Sequence, residues 1–141
     1  MIMTEKQIAL IRESRDQLTP ELEETSAAFY EDLFRRAPEL RALFRDDLSG
    51  QGMRFMSAVS VIADNLDDPA QLDDHVSLLA EGHAQFGIEE PAYRAMEEAL
   101  IHAFANALGD QFTSEVEHAW RSAFRQVSDQ MRVRGATLRS N

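Results

Sequence analysis

The sequence predicts an all-α fold, and three observations lead to that prediction. Strand signals are nearly absent, since no alternating run of β-branched residues and no Asn-Gly or Asp-Gly hairpin turn occurs. All four prolines stand just ahead of acidic or helix-forming residues, where helices begin. Apolar residues recur at three- and four-residue spacing along the chain. With 141 residues, the chain is expected to form one domain spanning 1–141.

The predicted helices follow one another without an internal repeat, a low-complexity tract or a linker. Each proline falls in the first turn of a predicted segment, and most of the glycines lie near segment ends. The tail from about residue 133 is basic and is expected to fray as a solvated terminus. The predicted segments are about 4–17, 20–36, 38–44, 51–65, 69–85, 91–108 and 113–134.

Composition excludes several classes of function. The 14 basic residues face 25 acidic ones, a formal net charge of −11, which disfavours binding to nucleic acid or to an anionic membrane surface. The absence of cysteine excludes disulfides and thiolate metal sites. No apolar run approaches the roughly 20 residues that span a bilayer, and no secretory signal is recognisable at the start. We therefore expect a soluble protein of the cytoplasm.

Helical periodicity separates the four histidines. At about 100° per residue, Leu72, Val76 and Leu79 form one stripe, and His83 lies in the middle of it. His75 is at the flank of that stripe. The other two point away from the apolar faces of their helices, His102 from Tyr93, Met96 and Leu100, and His118 from Val116, Trp120, Phe124, Val127 and Met131. Only His83 is predicted to face the core.

A buried imidazole must form hydrogen bonds or bind a ligand, since an unsatisfied polar group costs roughly 1–3 kcal/mol. His83 could therefore be a hydrogen-bonded core histidine. No second His, Cys or carboxylate at ligand spacing shares its face, so a zinc site built from protein ligands alone is not expected. One imidazole suffices for a metal when a macrocycle supplies the other ligands, as it does for haem iron.

Two stretches carry a resemblance to a known family. The first is FYEDLFRRAPELRALF, residues 29–44, and the second is GHAQFGIEEPAYRAMEEALIHAF, residues 82–104. Over about residues 4 to 132, the chain resembles the globins, specifically the haem domain of flavohaemoglobins and the single-domain bacterial haemoglobins of that lineage. This resemblance implies a globin fold of about seven to eight helices that enclose non-covalent haem b.

The resemblance also implies a role for each matching residue. His83 would be the proximal iron ligand, Phe44 would pack on the haem face, and Tyr93 would contact the proximal histidine. Tyr30 and Gln51 would donate hydrogen bonds to bound oxygen. Phe55 would restrict access from one turn beyond Gln51, inside an apolar shell that includes Phe29, Leu33 and Val59. The implied ligands are oxygen and, beyond it, nitric oxide and carbon monoxide.

The chain also departs from the family pattern. Flavohaemoglobins continue into flavin and nicotinamide domains, whereas this sequence ends with the globin region, so an external reductase is expected. The glutamate that holds the proximal tyrosine in those proteins has no counterpart after Asp129. Gly50 and Gly52 flank Gln51, which favours Tyr30 as the principal donor.

Three other interpretations stay open at this point. The protein could be a nitric oxide dioxygenase that depends on a separate reductase, or a haem-free globin-like regulatory module. It could also be a histidine phosphotransfer domain. Such domains have a basic residue three positions after the histidine, whereas this chain has Phe86 there. We expect a monomer or a homodimer, with reversible oxygen binding as the function.

Overall fold

The computed structural model describes residues 3–43, 48–85 and 90–140, with side chains at 3–41, 56–77 and 91–131. Within these ranges the chain forms six α-helices, three short 3-10 helices and no strand. The α-helices are α1 (Glu5–Leu18), α2 (Leu22–Arg36), α3 (Leu48–Asp64), α4 (Pro69–Gln85), α5 (Glu90–Leu108) and α6 (Ser114–Ser140). The 3-10 helices are Thr19–Glu21, Pro38–Leu43 and Gly109–Gln111. The all-α prediction is confirmed.

Local sequence signals explain where the helices begin. Thr4 caps α1 through a capping box, accepting a hydrogen bond from the Gln7 backbone N–H at 3.1 Å while the Gln7 side chain accepts one from the Thr4 N–H. Pro69 is the first residue of α4, and Pro91 is the second residue of α5. Gly109 follows α5 with φ +56°, a left-handed conformation that favours glycine.

Three segments differ from the prediction, the one from Pro38 in its type of helix, α3 in where it begins and α6 in where it ends. The segment from Pro38 is a 3-10 helix, and its Leu40 N–H bonds three residues back to Ala37; a six-residue segment gives an α-helix little room to establish its longer hydrogen bonds. Helix α3 begins at Leu48, and it includes both Gly50 and Gly52 because glycine is only modestly unfavourable in a helix.

Helix α6 continues to Ser140, where the predicted helix ends at about 134. The arginines at 132, 134 and 139 lie near its C-terminus, where a positive charge interacts favourably with the helix dipole. Fraying of this tail stays a prediction.

The core is formed by the apolar faces of all six helices. Helix α2 packs most extensively on α5, and α4 on α6, while α3 packs on α2 and α1. Ile11, Leu18, Phe29 and Phe104 are almost completely buried. Burying such side chains contributes about 1.5–3 kcal/mol each, which is the main reason these helices associate.

Helices α1 and α6 are joined by a buried hydrogen bond. The indole N–H of Trp120 donates to the Ser14 hydroxyl at 2.8 Å, and the same hydroxyl donates to the Leu10 carbonyl. Phe104 of α5 meets the Trp120 ring edge to face, with centroids 4.8 Å apart. These contacts fix the relative position of α1, α5 and α6 on one side of the molecule.

Candidate functional site

Tyr30 lies on the buried face of α2 with only 7% of its surface exposed. Its ring meets the Phe29 ring edge to face at 5.1 Å and stacks on Phe34 at 5.7 Å, with an interplanar angle of 27°. The Arg41 guanidinium lies over the Phe34 ring, 5.7 Å from its centre. The phenol predicted as a distal donor is therefore held among aromatic rings.

Phe34 is an addition to the predicted site. It is four residues after Tyr30, so the two side chains share one face of α2 and can stack. This four-residue spacing is the feature of the sequence from which the contact between Tyr30 and Phe34 could have been predicted. Of the predicted apolar shell, Phe29 and Leu33 are each 2% exposed and Val59 is half-buried.

Gln51 and Phe55 both lie in α3, which packs on α2. The two predicted distal positions are thus on a helix adjacent to the one that carries Tyr30. Their side chains lie outside the described residues, and so does Phe44 in its entirety. The roles of these three residues stay predictions.

His83 lies in the last turn of α4, although its side chain is not among those described. It is eleven residues after Leu72 and seven after Val76, close to whole numbers of helical turns. Leu72 is 3% exposed and Val76 is completely buried, so the stripe that leads to His83 faces the core. His102 and His118 are exposed, and His75 is half-buried, as predicted for all three.

Tyr93 is buried on α5, with 4% of its surface exposed. One turn later on the same helix, the buried carboxylate of Glu97 forms ion pairs with two arginines of α6. Arg125 binds it through two nitrogens, each at 3.1 Å, and Arg121 approaches at 2.7 Å. This bidentate geometry holds α5, and with it the backbone at Tyr93, against α6.

Arg121 joins a wider charge network between these two helices. It also pairs with Glu98 at 2.8 Å and with Glu117 at 3.0 Å. The hydrogen bond from Arg121 lowers the pKa of the Glu98 carboxyl and raises the pKa of Arg121. The sequence shows the i, i+4 spacing of Arg121 and Arg125, but the partners across the helix interface become visible only in the fold.

Among the residues with described side chains, Asp32 of α2 is a second buried acid, at 2% exposure. Burial by itself would raise the pKa of this carboxyl, but hydrogen bonds from Arg36 and Arg35 outweigh it and the net pKa is lowered. Both arginines are on the same helix as Asp32, three and four residues later. Asp32 is therefore held as a carboxylate by the two arginines that follow it on α2.

Two arginines of α1 bind the C-terminal end of α3. Arg12 donates to the carbonyls of Ala63 and Asp64, each at 2.9 Å, and also pairs with Asp67. Arg15 donates to the Ser60 carbonyl at 3.2 Å and pairs with Asp64, and the hydrogen bond to Asp64 raises the pKa of Arg15. The carbonyls of Ala63 and Asp64 lie in the last turn and lack partners within the helix, so the bonds from Arg12 stabilise the end of α3.

Among the residues with described placement, no three His, Asp or Glu side chains are grouped so as to hold a metal ion. Within the same residues, no helix combines the length and the apolar character needed to cross a membrane.

The sequence and the fold were compared with known proteins. The Globin family profile matches residues 27–131. A flavohemoprotein of Rhodopirellula baltica is 28% identical over 131 residues, covering 91% of this chain and 32% of that protein. A leghemoglobin of Psophocarpus tetragonolobus is 26% identical over 140 residues, covering 89% of this chain and 92% of that protein.

Among solved structures, a hexacoordinated heme protein from an anhydrobiotic tardigrade superimposes with a TM-score of 0.85. The superposition covers 95% of this chain and 96% of the tardigrade protein. The sequence identity is 16%, so this likeness concerns the fold alone. The chain spans about a third of the length of the flavohemoprotein relatives it matches.

The family profile covers most of the chain, from α2 through α6, and the same helices superimpose on a solved heme protein. The resemblance that the sequence motifs indicate is thereby confirmed. The chain belongs to the globin family.

Proposed function

We propose that this globin holds haem b, with His83 as the proximal iron ligand, and that it binds diatomic gases reversibly, oxygen foremost. Family membership supports haem and gas binding in general. The observation that carries the finer proposal is the buried Tyr30, which is held by Phe29 and Phe34 on a helix that packs against α3. A buried phenol in an aromatic wall is suited to donate a hydrogen bond to a ligand inside the molecule.

The burial of the described residues supports this cofactor. The buried stripe of Leu72 and Val76 leads along α4 to His83, and Tyr93 is buried on α5. Haem, when bound, supplies an iron atom with a coordination position for a diatomic gas. The protein would supply the imidazole of His83, the ring of Phe44 against the haem face, and Tyr93 as a neighbour of the proximal histidine.

On the distal side, Tyr30 would donate to the partial negative charge that bound oxygen develops. Gln51 would be a second donor, and Phe55 would limit access from one turn further along α3. A hydrogen bond to a charged acceptor contributes about 1.5–3 kcal/mol, which corresponds to roughly 10- to 150-fold in affinity. Carbon monoxide remains nearly neutral when bound and gains little from such a donor.

Nitric oxide dioxygenation is the second candidate, because the distal residues proposed for oxygen binding, Tyr30 foremost, would serve that reaction as well. In that reaction the haem held by His83 would supply the iron chemistry, and Tyr30 would hold the oxygen that reacts with nitric oxide to give nitrate. A separate reductase would then have to return one electron before the next turnover. We place both activities in the cytoplasm, with the protein as a monomer or a homodimer.

An absorption spectrum tests the proposal. The protein is supplied with haem and measured as the ferric, ferrous and ferrous carbon monoxide forms, together with His83→Ala and the control His102→Ala. His102 is exposed on α5, so its loss leaves the core unchanged. We expect an intense Soret band at one haem per chain that is retained in His102→Ala and lost or strongly altered in His83→Ala. No stoichiometric Soret band in the unmodified protein would reject the proposal.

A further inference from the structure

Of the three aromatic rings that α2 groups together, Phe34 is the most exposed. Phe29 and Tyr30 are buried, with 2% and 7% of their surface exposed, whereas Phe34 is half-buried. Phe34 nevertheless provides the stacked partner of Tyr30, with ring centres 5.7 Å apart and 27° between the ring planes. The ring that stacks on the proposed oxygen donor therefore lies at the edge of the core, where packing restrains a side chain less than it does in the interior.

The guanidinium of Arg41 lies over this edge ring. Its central carbon is 5.7 Å from the centre of Phe34, within the roughly 6 Å at which a cation is attracted to an aromatic face. A guanidinium is planar and more weakly hydrated than an ammonium, so it can cover a ring and still keep contact with water. Arg41 is exposed and Tyr30 is buried, so the contacts run from solvent to interior in the order Arg41, Phe34, Tyr30.

The backbone turn that precedes Arg41 is anchored in the core. The Ala37 N–H donates to the Leu33 carbonyl of α2 at 2.8 Å, and the Leu40 N–H of the following 3-10 helix donates to the Ala37 carbonyl at 3.0 Å. Ala37 and Leu40 are both buried. Arg41 follows Leu40 directly, in a 3-10 helix that packs on α2, so its side chain starts from a fixed position beside Phe34.

We propose that Arg41 is a positioning residue for Tyr30 and that it acts through Phe34. The guanidinium covers the Phe34 ring and restrains it, and the restrained ring holds the phenol in the orientation from which it donates. This inference rests on the proposed function, in which Tyr30 donates a hydrogen bond to bound oxygen. A donor held in place loses less conformational entropy when the ligand arrives, so loosening it should weaken the hydrogen bond without removing it.

Arg35 provides a matched comparison for Arg41. It lies in the last turn of α2, is exposed, and is bound with Arg36 to the buried carboxylate of Asp32. Replacing Arg35 by methionine removes the same charge and the same planar group from this end of α2, and Arg36 remains to bind Asp32. Methionine retains most of the apolar stem of arginine in both variants.

The test compares the unmodified, haem-loaded protein with Arg41→Met, Arg35→Met, Tyr30→Phe and the double variant Tyr30→Phe/Arg41→Met. Oxygen release from the ferrous protein is followed by stopped flow. The ring signals of isotope-labelled tyrosine are recorded by NMR on the ferrous carbon monoxide form, so that the second readout does not depend on oxygen. The chain contains two tyrosines, and Tyr30→Phe shows which signals belong to Tyr30.

We expect Arg41→Met to speed oxygen release about two- to fivefold, which corresponds to the strength of an exposed contact between a cation and an aromatic ring. The same variant should shift the ring signals of Tyr30 and leave those of Tyr93 in place. Arg35→Met should change neither the rate nor the signals. In the Tyr30→Phe background, Arg41→Met should have no further effect, because the group through which it acts is absent.

Unchanged Tyr30 signals in Arg41→Met would overturn the proposal. It would also be overturned by an unchanged oxygen rate in that variant when Tyr30→Phe raises the rate, by an equal acceleration in Arg35→Met, or by the same acceleration with and without the Tyr30 hydroxyl. Failure of the proposed function has a different signature, since oxygen release would then be the same in Tyr30→Phe as in the unmodified protein.

Discussion

Tyr30, the proposed distal donor, is positioned by its immediate neighbours. Ring contacts with Phe29 and Phe34 restrict its side chain, and burial removes it from competition with bulk water. A donor that is already oriented loses little conformational entropy when a ligand arrives, so more of the hydrogen-bond energy is available for binding. The same reasoning applies to a distal donor in any gas-binding pocket.

Replacing Tyr30 by phenylalanine should speed oxygen dissociation by about tenfold or more, because the hydroxyl donor is lost while the ring is retained. Stopped-flow measurement of oxygen release from the ferrous protein provides the rate. Carbon monoxide is the control ligand, and its dissociation should change much less. An unchanged oxygen rate would remove Tyr30 from the site.

At the scale of elements, the six helices are joined by polar contacts whose strength depends on burial. The arginines of α1 bind main-chain carbonyls at the end of α3, and the side chain of Arg15 is only 16% exposed. By contrast, Lys6 of α1 and Glu115 of α6 pair at 3.0 Å with side chains that are 75% and 66% exposed. An exposed pair of this kind contributes little, since water screens it.

Arg15→Met should therefore lower the free energy of unfolding by about 1–3 kcal/mol, because the Ser60 carbonyl and Asp64 lose a donor. Methionine retains most of the apolar stem, so packing is nearly conserved. Lys6→Met is the matched control and should change stability by less than about 0.5 kcal/mol. Urea denaturation of both variants provides the comparison. Equal effects would show that the contacts to α3 are not stabilising.

The α5–α6 network makes stability depend on pH. The hydrogen bond from Arg121 lowers the pKa of Glu98 in the folded state below its ordinary value of 4.5. The folded protein thus holds the ionised carboxylate more strongly than the unfolded chain does. This stabilisation is present above the unfolded pKa and is lost as the pH falls through the folded pKa.

Glu98→Gln should flatten the acid limb of the stability curve below about pH 4.5, since glutamine does not titrate. Denaturant unfolding between about pH 6 and about pH 3 gives the slope for each protein. Glu31→Gln, an exposed change on α2, serves as the control and should retain the slope of the unmodified protein. If Glu98→Gln retains the slope of the unmodified protein as well, Glu98 is not one of the groups that make stability depend on pH.

For the whole molecule, cofactor binding and folding are linked. A ligand that binds only the folded state adds to the free energy of unfolding, about 4 kcal/mol when its concentration exceeds the dissociation constant a thousandfold. In the proposed haem protein, α3 and α4 carry the residues that would contact the cofactor, namely Gln51, Phe55 and His83. Their packing on α2 and α6 would transmit this stabilisation to the rest of the fold.

Removal of haem should lower the unfolding midpoint of the protein, and adding haem back should restore it, because only the folded state binds the cofactor. Thermal scans of the loaded and haem-free forms measure the difference. The difference should be smaller in His83→Ala and unaffected in His102→Ala, whose side chain is exposed. An identical midpoint with and without haem would contradict the proposed linkage.

Local patterns were sufficient to predict the helices and the faces of three histidines. Apolar spacing determines which side of a helix is buried, and proline and capping residues mark where it begins. His102 and His118 are exposed and His75 is half-buried, as the periodicity predicts. The motifs around Tyr30 and His83 also indicated the globin family, which the comparison confirms.

Contacts between distant segments could not be derived in this way. Ser14 with Trp120, Arg15 with Asp64, and Glu97 with Arg125 are far apart in the chain, and nothing in their local sequence specifies the partner. An apolar pocket lined by residues of α1, α3, α5 and α6 likewise depends on how these four helices pack against one another. Periodicity determines the direction of a side chain from its own helix, whereas its partner depends on the positions and crossing angles of the neighbouring helices.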